Sequence, residues 1–224
     1  MSTLENNGFK TGTAAVITAG GTSSRFGSNK LLEKFPSGKS VICTTVEKFL
    51  PVCDIVVIPC HKEVLEHIKT NLNMNLNKII FAPFGDTRQQ SVFKGLLALN
   101  SLPHKPKTVL IHDGARPFIE PDTIKETVEK LKIHKGVCVG VYAVDTIKIT
   151  DNEGNIIKTI DRNTVFQAQT PQGFDFDTIF EVHKKLKDKN FTDDSSMLET
   201  LNIPVYALKG TLSNKKITFK EDLA

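Results

Sequence analysis

The chain has 224 residues, of which 39% are hydrophobic and 24% are charged. This length suits one domain with a sizeable core, and the composition is that of a soluble globular protein rather than a disordered or fibrous one. The net charge is only +4, the lysines are scattered among acidic residues, and no apolar run approaches membrane-spanning length. These totals argue against a nucleic-acid partner and against a membrane partner.

Cysteine usage and the first residues of the chain bear on the cellular compartment. The four cysteines share no CxxC spacing; they are Cys43, Cys53, Cys60 and Cys138. In a chain of this length they are typical of buried thiols in a reducing cytosol, not of a disulfide frame or a zinc site. The polar N-terminal stretch has no apolar signal core. We therefore predict a cytoplasmic protein with a flexible tail at residues 1–12 and a single domain at residues 13–224.

The predicted elements alternate between short β-rich apolar runs and longer segments of helical periodicity. The strands are predicted at residues 14–19, 54–60, 78–83, 107–113 and 136–144, and the helices between them at residues 41–50, 63–72, 90–100 and 123–134. Strands that are apolar on both faces and separated by helices indicate a parallel sheet covered on both sides. The pattern therefore predicts a doubly wound α/β domain.

This alternation stops after Val144. Residues 145–168 alternate apolar and polar side chains around a turn at residues 151–155, which predicts a β-hairpin. A hairpin without a helix over it is stable only when it packs on something else, so it would form a protruding arm that reaches a second subunit. Two further helices and a final strand are predicted at residues 175–189, 193–202 and 204–210.

The glycine-rich segment AGGTSSRFGSNKLL, residues 19–32, follows the first predicted strand. Ligands of open α/β sheets bind at the carboxyl ends of strands, and glycines let backbone N–H groups approach a phosphate closely. Arg25 and Lys30 would then neutralise phosphate oxygens. The loop matches neither GxxxxGK[ST] nor GxGxxG, so taken alone it is as readily a turn with two surface cations.

Two further motifs follow predicted strands at the same edge of the sheet. In HDGARPF, residues 112–118, the strand-end Asp113 would hold Mg²⁺ or a substrate hydroxyl, or would simply pair with Arg116. In GDTRQQSV, residues 85–92, Ser91 would hydrogen-bond a base or cap a helix.

Other polar segments leave similar alternatives. TDDSSMLE, residues 192–199, is favoured as a helix cap over an acidic contribution to the site. Lys216, in NKKIT, would either return a cation to the site or lie on the surface. The six histidines have no predicted functional role: His112 is expected only to hydrogen-bond locally, and the others, including His183, are placed in or beside surface helices and loops.

The order of the motifs is more specific than any one of them. A strand followed by AGG…SRFG..K, and then by GD.R..SV, HDGARPF, DTIK, DRN, TPQGF, TDDSSMLE and K.IT, resembles the 2-C-methyl-D-erythritol 4-phosphate cytidylyltransferases over nearly the whole chain. The resemblance implies a Rossmann-like domain with a mostly parallel sheet and a homodimer formed through the protruding hairpin arm. It also implies that a polyol phosphate attacks the α-phosphorus of CTP, with pyrophosphate leaving and Mg²⁺ assisting.

The resemblance also assigns roles to individual residues. Arg25 and Lys30 would stabilise charge on the phosphates in the transition state, while Arg162 and Lys216 would position the phosphate of the methylerythritol substrate. The residues expected on the substrate side are Asp113, Arg116 and Thr146. The residues expected around cytosine and ribose are Ala19, Gly20, Gly21, Gly85, Asp86 and Ser91. A phosphate nucleophile is already ionised at pH 7, so cations and Mg²⁺ suffice without a strong general base.

Three other functions fit parts of the pattern. The first is the same chemistry on another polyol phosphate such as ribitol 5-phosphate; the DRN segment, residues 161–163, favours methylerythritol. The second is a guanylyl- or sugar-nucleotidyltransferase, against which HDGARPF and the arm weigh. The third is an inert nucleotide-binding module, which would not need all of the matching charged residues. In two respects the first loop departs from the family: the segment between Arg25 and Lys30 is short, and Ser23 replaces a glycine.

Overall fold

The structure is a computed structural model that describes residues 12–21, 26–74 and 76–223. The predicted tail therefore lies outside the described residues except for Gly12. Within the described ranges, no helix combines the length and the hydropathy that crossing a bilayer requires.

The strands and helices alternate along the chain much as the sequence pattern predicts. The strands are β1 (Thr13–Thr18), β2 (Ile55–Pro59), β3 (Ile79–Ala82), β4 (Thr108–Asp113), β5 (Gly136–Tyr142), β6 (Ile147–Thr150), β7 (Ile156–Ile160), β8 (Phe166–Asp175) and β9 (Val205–Lys209). The α-helices are α1 (Val41–Phe49), α2 (Lys62–Asn71), α3 (Arg88–Asn100), α4 (Pro121–Lys130), α5 (Phe176–Lys185) and α6 (Ser195–Thr200). Short 3₁₀ turns occupy Leu76–Lys78, Arg162–Thr164 and Lys220–Leu223.

Seven of these strands form one mostly parallel sheet in the order β3-β2-β1-β4-β8-β5-β9. Strand β1 pairs in parallel with β2 on one side and with β4 on the other. The chain thus builds outward in both directions from β1, and the connections after β1 and β4 diverge at the carboxyl edge of the sheet. In open α/β sheets such a switch point is where ligands bind.

The core lies on both faces of this sheet, as the apolar strands predict. Along β1, Ala15 and Ile17 face one hydrophobic cluster, while Ala14 and Val16 face the other. Helices α1, α2 and α4 contribute to the first cluster, and α3, α5 and α6 contribute to the second. Because side chains alternate along a strand, a segment buried on both faces must be apolar, and the four buried residues of β1, residues 14–17, are all apolar. The predicted α/β fold is confirmed.

Strand β8 was not predicted. Its ten residues lie antiparallel between β4 and β5, in the middle of the sheet. Its sequence, FQAQTPQGFD, contains polar residues and Pro171, which has no N–H for the ladder, so neither periodicity nor propensity indicates a central strand. The pairing brings the TPQGF motif into the core behind the carboxyl end of β4.

The predicted hairpin is present as a separate two-stranded sheet of β6 and β7. Its turn is closed by Asp151, whose carboxylate accepts the backbone N–H groups of Glu153 and Asn155 at 3.0 and 2.9 Å. The hairpin was predicted to end near residue 168, but residues from Phe166 onward belong to the main sheet. We therefore use the name arm for residues 145–164.

Candidate active site

A cavity of about 340 Å³ opens at the carboxyl edge of the sheet, where the connections after β1 and β4 diverge. Its walls come from the loops after β1, β3 and β4 and from a segment near the end of the described chain. The lining residues that matter below are Gly20, Gly21, Lys30, Gly85, Asp86, Arg88, Ser91, Asp113 and Lys216. All of them except Arg88 were predicted as site residues.

The remaining predicted residues lie elsewhere. Ala19 is buried directly before the cavity and forms a bridge with Cys60, and Arg116 lies directly behind Asp113. Thr146 and Arg162 are exposed on the arm and do not line the cavity; the Arg162 Nη1 donates to the carbonyl of Val144 at 2.7 Å. Arg25 lies outside the described residues, as does Ser23.

Asp113, the last residue of β4, is the electrostatic centre of the cavity. Its Oδ1 accepts a hydrogen bond from Arg88 Nε at 3.0 Å, and its Oδ2 accepts one from Lys216 Nζ at 2.9 Å. Arg116 Nε makes a longer ion pair with Oδ2 at 3.5 Å. Of the alternatives considered for Asp113, the pairing with Arg116 is present. Asp113 also lines the cavity, and its binding to Mg²⁺ or to a substrate hydroxyl stays a prediction.

These contacts fix the charge state of the carboxylate. Burial of Asp113 acts to raise its pKa, but Arg88, Lys216 and Arg116 outweigh burial and hold the pKa well below its usual range. Asp113 is therefore ionised at neutral pH and cannot serve as a general acid there. The carboxylate holds three cationic side chains in place at the edge of the cavity. Cations fixed in this way are suited to binding a polyanion.

The turn after Asp113 is held by a hydrogen-bonded chain behind the cavity. His112 Nε2 lies 3.1 Å from the carbonyl oxygen of Arg116, which can only accept, so this nitrogen carries the proton. His112 Nδ1 then accepts from the Thr170 hydroxyl at 3.0 Å, and that hydroxyl oxygen accepts the Asp113 N–H at 3.1 Å. Burial lowers the pKa of His112 to about 4, consistent with a neutral ring. The expectation of a local hydrogen-bonding role is thus met.

Two glycines are required where backbone segments approach each other. A Cβ at Gly114 would lie 2.7 Å from the Thr18 carbonyl oxygen, and one at Gly20 would lie 2.6 Å from Cβ of Phe84. The Gly20 carbonyl also accepts from His61 Nε2 at 3.1 Å. The loop after β1 is thereby positioned against the loop after β3.

The loop after β3 is closed by Ser91. Its hydroxyl oxygen accepts the Gly85 N–H at 2.9 Å, and the hydroxyl lies 3.1 Å from the carbonyl of Thr87. The cap of α3 is supplied by Thr87, whose hydroxyl accepts the Gln90 N–H at 3.1 Å. Ser91 therefore shapes the cavity wall rather than capping the helix.

The segment around Lys216 is bound to both other walls. Ile217 donates its N–H to the Ala115 carbonyl at 2.8 Å, and its own carbonyl accepts from Lys30 Nζ at 2.8 Å. From this segment the Lys216 side chain contacts Asp113. Of the two alternatives for Lys216, a cation at the site and a surface lysine, the structure therefore shows the first.

Sequence reasoning missed three residues that contact one another at the cavity and behind it. Arg88 links Asp113 to Asp194, and Asp194 also contacts His183. Asp194 occupies the N-cap position of α6 without a side-chain capping bond, whereas the neighbouring Asp193 accepts the Ser196 N–H at 3.2 Å. The expectation that His183 lies at the surface was wrong, since it is 1% exposed. The quoted motifs contained Arg88 and Asp194, but no local pattern indicates that distant segments pair.

The metal-binding capacity of the site is limited. Among the described residues, no group of three or more His, Cys, Asp or Glu side chains could hold a metal ion. The cavity offers two carboxylates, Asp113 and Asp86, and Asp113 is already occupied by cations. Such a donor set fits Mg²⁺ bound mainly through ligand phosphates with few protein ligands, which is how Mg²⁺ commonly binds in phosphoryl-transfer sites.

A doubly wound sheet with a cavity that carries cations at its switch point is typical of nucleotide-binding α/β proteins. Comparison with known proteins narrows this class. The family model of IspD, described as 2-C-methyl-D-erythritol 4-phosphate cytidylyltransferase, matches residues 13–224. The chain is 42% identical over 217 residues to the protein of that name from Prochlorococcus marinus, covering 93% of each chain. It is 37% identical to the one from Dictyoglomus thermophilum over 216 residues, covering 93% of this chain and 92% of the relative.

Solved structures agree. The crystal structure of 4-diphosphocytidyl-2C-methyl-D-erythritol synthase from Anaerococcus prevotii superposes with a TM-score of 0.83 at 29% identity, covering 95% of this chain and 93% of that one. The chain therefore belongs to the 2-C-methyl-D-erythritol 4-phosphate cytidylyltransferase family, a family of CTP-dependent nucleotidyltransferases. The resemblance drawn from the order of the motifs is confirmed.

Proposed function

We propose that this protein joins CTP and 2-C-methyl-D-erythritol 4-phosphate to give 4-diphosphocytidyl-2-C-methyl-D-erythritol and pyrophosphate, a step of non-mevalonate isoprenoid biosynthesis. The carrying observation is the ionised Asp113 at the edge of the cavity, with Arg88, Lys216 and Arg116 arranged around it. Because the chain belongs to the cytidylyltransferase family, we infer that the anions bound at this site are CTP and the phosphate of methylerythritol 4-phosphate.

In this reaction no covalent bond to the protein is needed, because bonds form and break only between the two substrates. An oxygen of the substrate's phosphate forms a bond to the α-phosphorus of CTP, and the bond from that phosphorus to the bridging oxygen breaks, with pyrophosphate taking the electron pair. Charge at phosphorus and on the leaving group must be stabilised, which fixed cations do well in an enclosed site. Lys30 and Lys216 line the cavity and are the described side chains suited to this role, and Arg25 would join them.

The two substrates would use different walls. The wall around Gly20, Gly21, Gly85 and Asp86 is rich in accessible backbone and would receive the nucleotide, with Ala19 and Ser91 supporting its loops. The wall around Asp113 and Lys216 would receive the phosphate of the second substrate. Mg²⁺ would be held by the nucleotide's phosphates with Asp86 as the available carboxylate. When bound it would neutralise charge on the leaving pyrophosphate.

We further propose that the arm completes the site of a second subunit. Thr146 and Arg162 do not line their own cavity, and the arm exposes three isoleucine side chains: Ile149, Ile156 and Ile157 at 45%, 64% and 65% exposure. Exposed apolar side chains on a two-stranded sheet favour burial against another body. A homodimer would bury them and bring Arg162 to the partner's cavity.

A cytoplasmic location is supported by the cysteines. All four are buried and unpaired, and burial raises the pKa of Cys60 and of Cys138 to about 11. Such thiols are unreactive and are typical of proteins from a reducing compartment.

The test of the proposed function is pyrophosphate release with CTP and Mg²⁺, offering methylerythritol 4-phosphate and ribitol 5-phosphate in separate reactions. We expect release with the first alone. Release with ribitol 5-phosphate alone would reassign the substrate while keeping the chemistry. CTP binding by calorimetry without release from either substrate would indicate a nucleotide-binding module instead.

A further inference from the structure

A row of charged and polar side chains begins at the cavity with Asp113 and the half-buried Arg88, and it continues into buried side chains behind the cavity. Arg88 donates through Nε to Asp113 at 3.0 Å and through Nη1 to Asp194 Oδ2 at 2.7 Å. His183 Nε2 lies 3.0 Å from the other oxygen of Asp194. Asp194 and His183 are each 1% exposed, and His183 does not line the cavity. We call these four residues the relay.

The backbone at Asp194 is fixed independently of the relay. Gln172, from the central strand β8, accepts the N–H groups of Asp194 and Ser195, each at 3.0 Å. Its amide nitrogen donates to Asp193 at 2.6 Å. With the backbone held in this way, the direction of the Asp194 carboxylate depends on the donors that contact it, which are Arg88 and His183.

The hydrogen bond from His183 has a defined direction. The pKa of Asp194 is lowered: burial opposes the charged form, but Arg88 and the His183 hydrogen bond outweigh it. The carboxylate is thus an acceptor, so Nε2 of His183 carries the proton. Nδ1 has no hydrogen-bond partner among the described residues. Phe93 of α3 holds that ring by stacking at 6.0 Å and 6°.

From this geometry we infer that His183 is a positioning residue for the transfer reaction, acting through Asp194 and Arg88 on the Asp113 carboxylate at the cavity. The inference rests on the proposed function. The guanidinium is planar and contacts two carboxylates through two different nitrogens, so its plane is set by both. If Asp194 loses its second donor and rotates, Arg88 relaxes, and Asp113 loses the partner that complements Lys216.

A purely structural role for His183 makes a different prediction. In that case its removal lowers the stability of the packing between α5 and α3 and leaves the kinetics of the folded protein unchanged. The two interpretations therefore separate in kinetic constants measured on folded protein.

The first experiment compares His183→Leu, which removes the donor, with His183→Gln, whose amide offers an N–H near the position of Nε2. Steady-state rates with CTP and methylerythritol 4-phosphate should show kcat/KM reduced about tenfold in His183→Leu, within the range by which contacting residues couple. His183→Gln should restore most of it. His67→Leu is the matched control, because His67 on α2 also has a buried ring nitrogen without a partner and lies away from the relay. Equal kinetics in all three variants would overturn the inference.

The second experiment tests the route. In an Asp194→Asn background, His183→Leu should cost little further activity, because the contact through which it acts is already impaired. If the fold-loss of kcat/KM in the double variant equals the product of the losses in the two single variants, His183 acts by another path, and the inference is overturned. His183→Phe repeats both measurements with the ring stacking kept, in case the leucine variant does not fold.

The third measurement is independent of turnover. Proton exchange at Arg88 Nε, followed by NMR, should be several-fold faster in His183→Leu than in the wild type and the His67→Leu control, because the guanidinium is less firmly held. Unchanged exchange would overturn the inference. If the wild type shows no pyrophosphate release, the proposed function fails, while this exchange measurement still decides whether the relay holds Arg88.

Discussion

The Asp113 carboxylate at the cavity is enclosed and has its partners within the same chain, whereas the isoleucine side chains of the arm project into solvent. Asp113 is 7% exposed and contacts three cations, while Ile156 and Ile157 are 64% and 65% exposed. The cavity is therefore preorganised before any ligand arrives, which reduces the reorganisation that the reaction requires. The exposed isoleucines of the arm are not covered by the described part of the chain, and another body that packs against the arm would bury them.

The strongest loss of activity is expected from removing a fixed cation of the cavity. Replacing Lys30 by alanine should lower kcat by about 10²–10³-fold with the fold intact, because it removes a fixed cation aimed at developing charge. Stopped-flow measurement of pyrophosphate release under saturating substrates checks this, with circular dichroism to confirm folding. Lys62→Ala, an exposed lysine at the start of α2, is the control. Near-normal turnover in Lys30→Ala would remove this lysine from the catalytic machinery.

The next effect tests whether the arm serves a neighbouring cavity. Arg162→Glu should lower kcat/KM for methylerythritol 4-phosphate by about 10–100-fold without changing CTP affinity, since the charge would repel the substrate's phosphate. Mixing it with Lys30→Ala should then restore activity at roughly a quarter of the sites, because a hybrid dimer pairs one intact cavity with one intact arm. No recovery on mixing would mean that the arm acts within its own chain, and weaker CTP binding would place Arg162 on the nucleotide side.

A smaller effect concerns the apolar face of the arm. Ile157→Glu should weaken self-association about tenfold or more, because a charge would be buried at the subunit contact. Analytical ultracentrifugation over a concentration series measures it. Ile133→Glu is the control, since Ile133 is 78% exposed but lies outside the arm. If both variants associate like the wild type, the dimer does not form through this face.

The smallest effect concerns acid stability behind the cavity. The pKa of Asp194 is lower in the folded chain than its ordinary value, so its ionised form stabilises the fold above the unfolded pKa of about 3.9 and this contribution is lost as the pH falls below that value. Asp194→Asn should therefore cost about 1.5 kcal/mol near neutral pH and progressively less below about pH 4. Urea unfolding at several pH values measures the difference. A difference that does not change with pH would show that the charge of Asp194 is not what stabilises the fold.

The alternation of strands and helices could be predicted from the amino-acid pattern alone, because strands buried on both faces must be apolar and helices must carry one apolar side. The same pattern also indicated which loops follow the strands at the ligand edge, so Gly20, Lys30, Gly85, Asp113 and Lys216 were predicted and lie at one cavity. The separate hairpin was also predictable, because the alternation of apolar and polar side chains and the residues of the turn are local features of the sequence.

The pairing of distant segments could not be predicted from the sequence and is known from the folded chain. Strand β8 is polar in sequence and contains Pro171, yet it occupies the middle of the sheet because β4 and β5 supply its ladder partners. That pairing places Gln172 where it accepts the Asp194 N–H, and it thereby fixes the backbone that carries the carboxylate contacted by Arg88 and His183. Contacts between residues some 20 to 100 positions apart leave no periodic trace in a chain, because hydrophobic patterning records which face of an element is buried and not which element covers it.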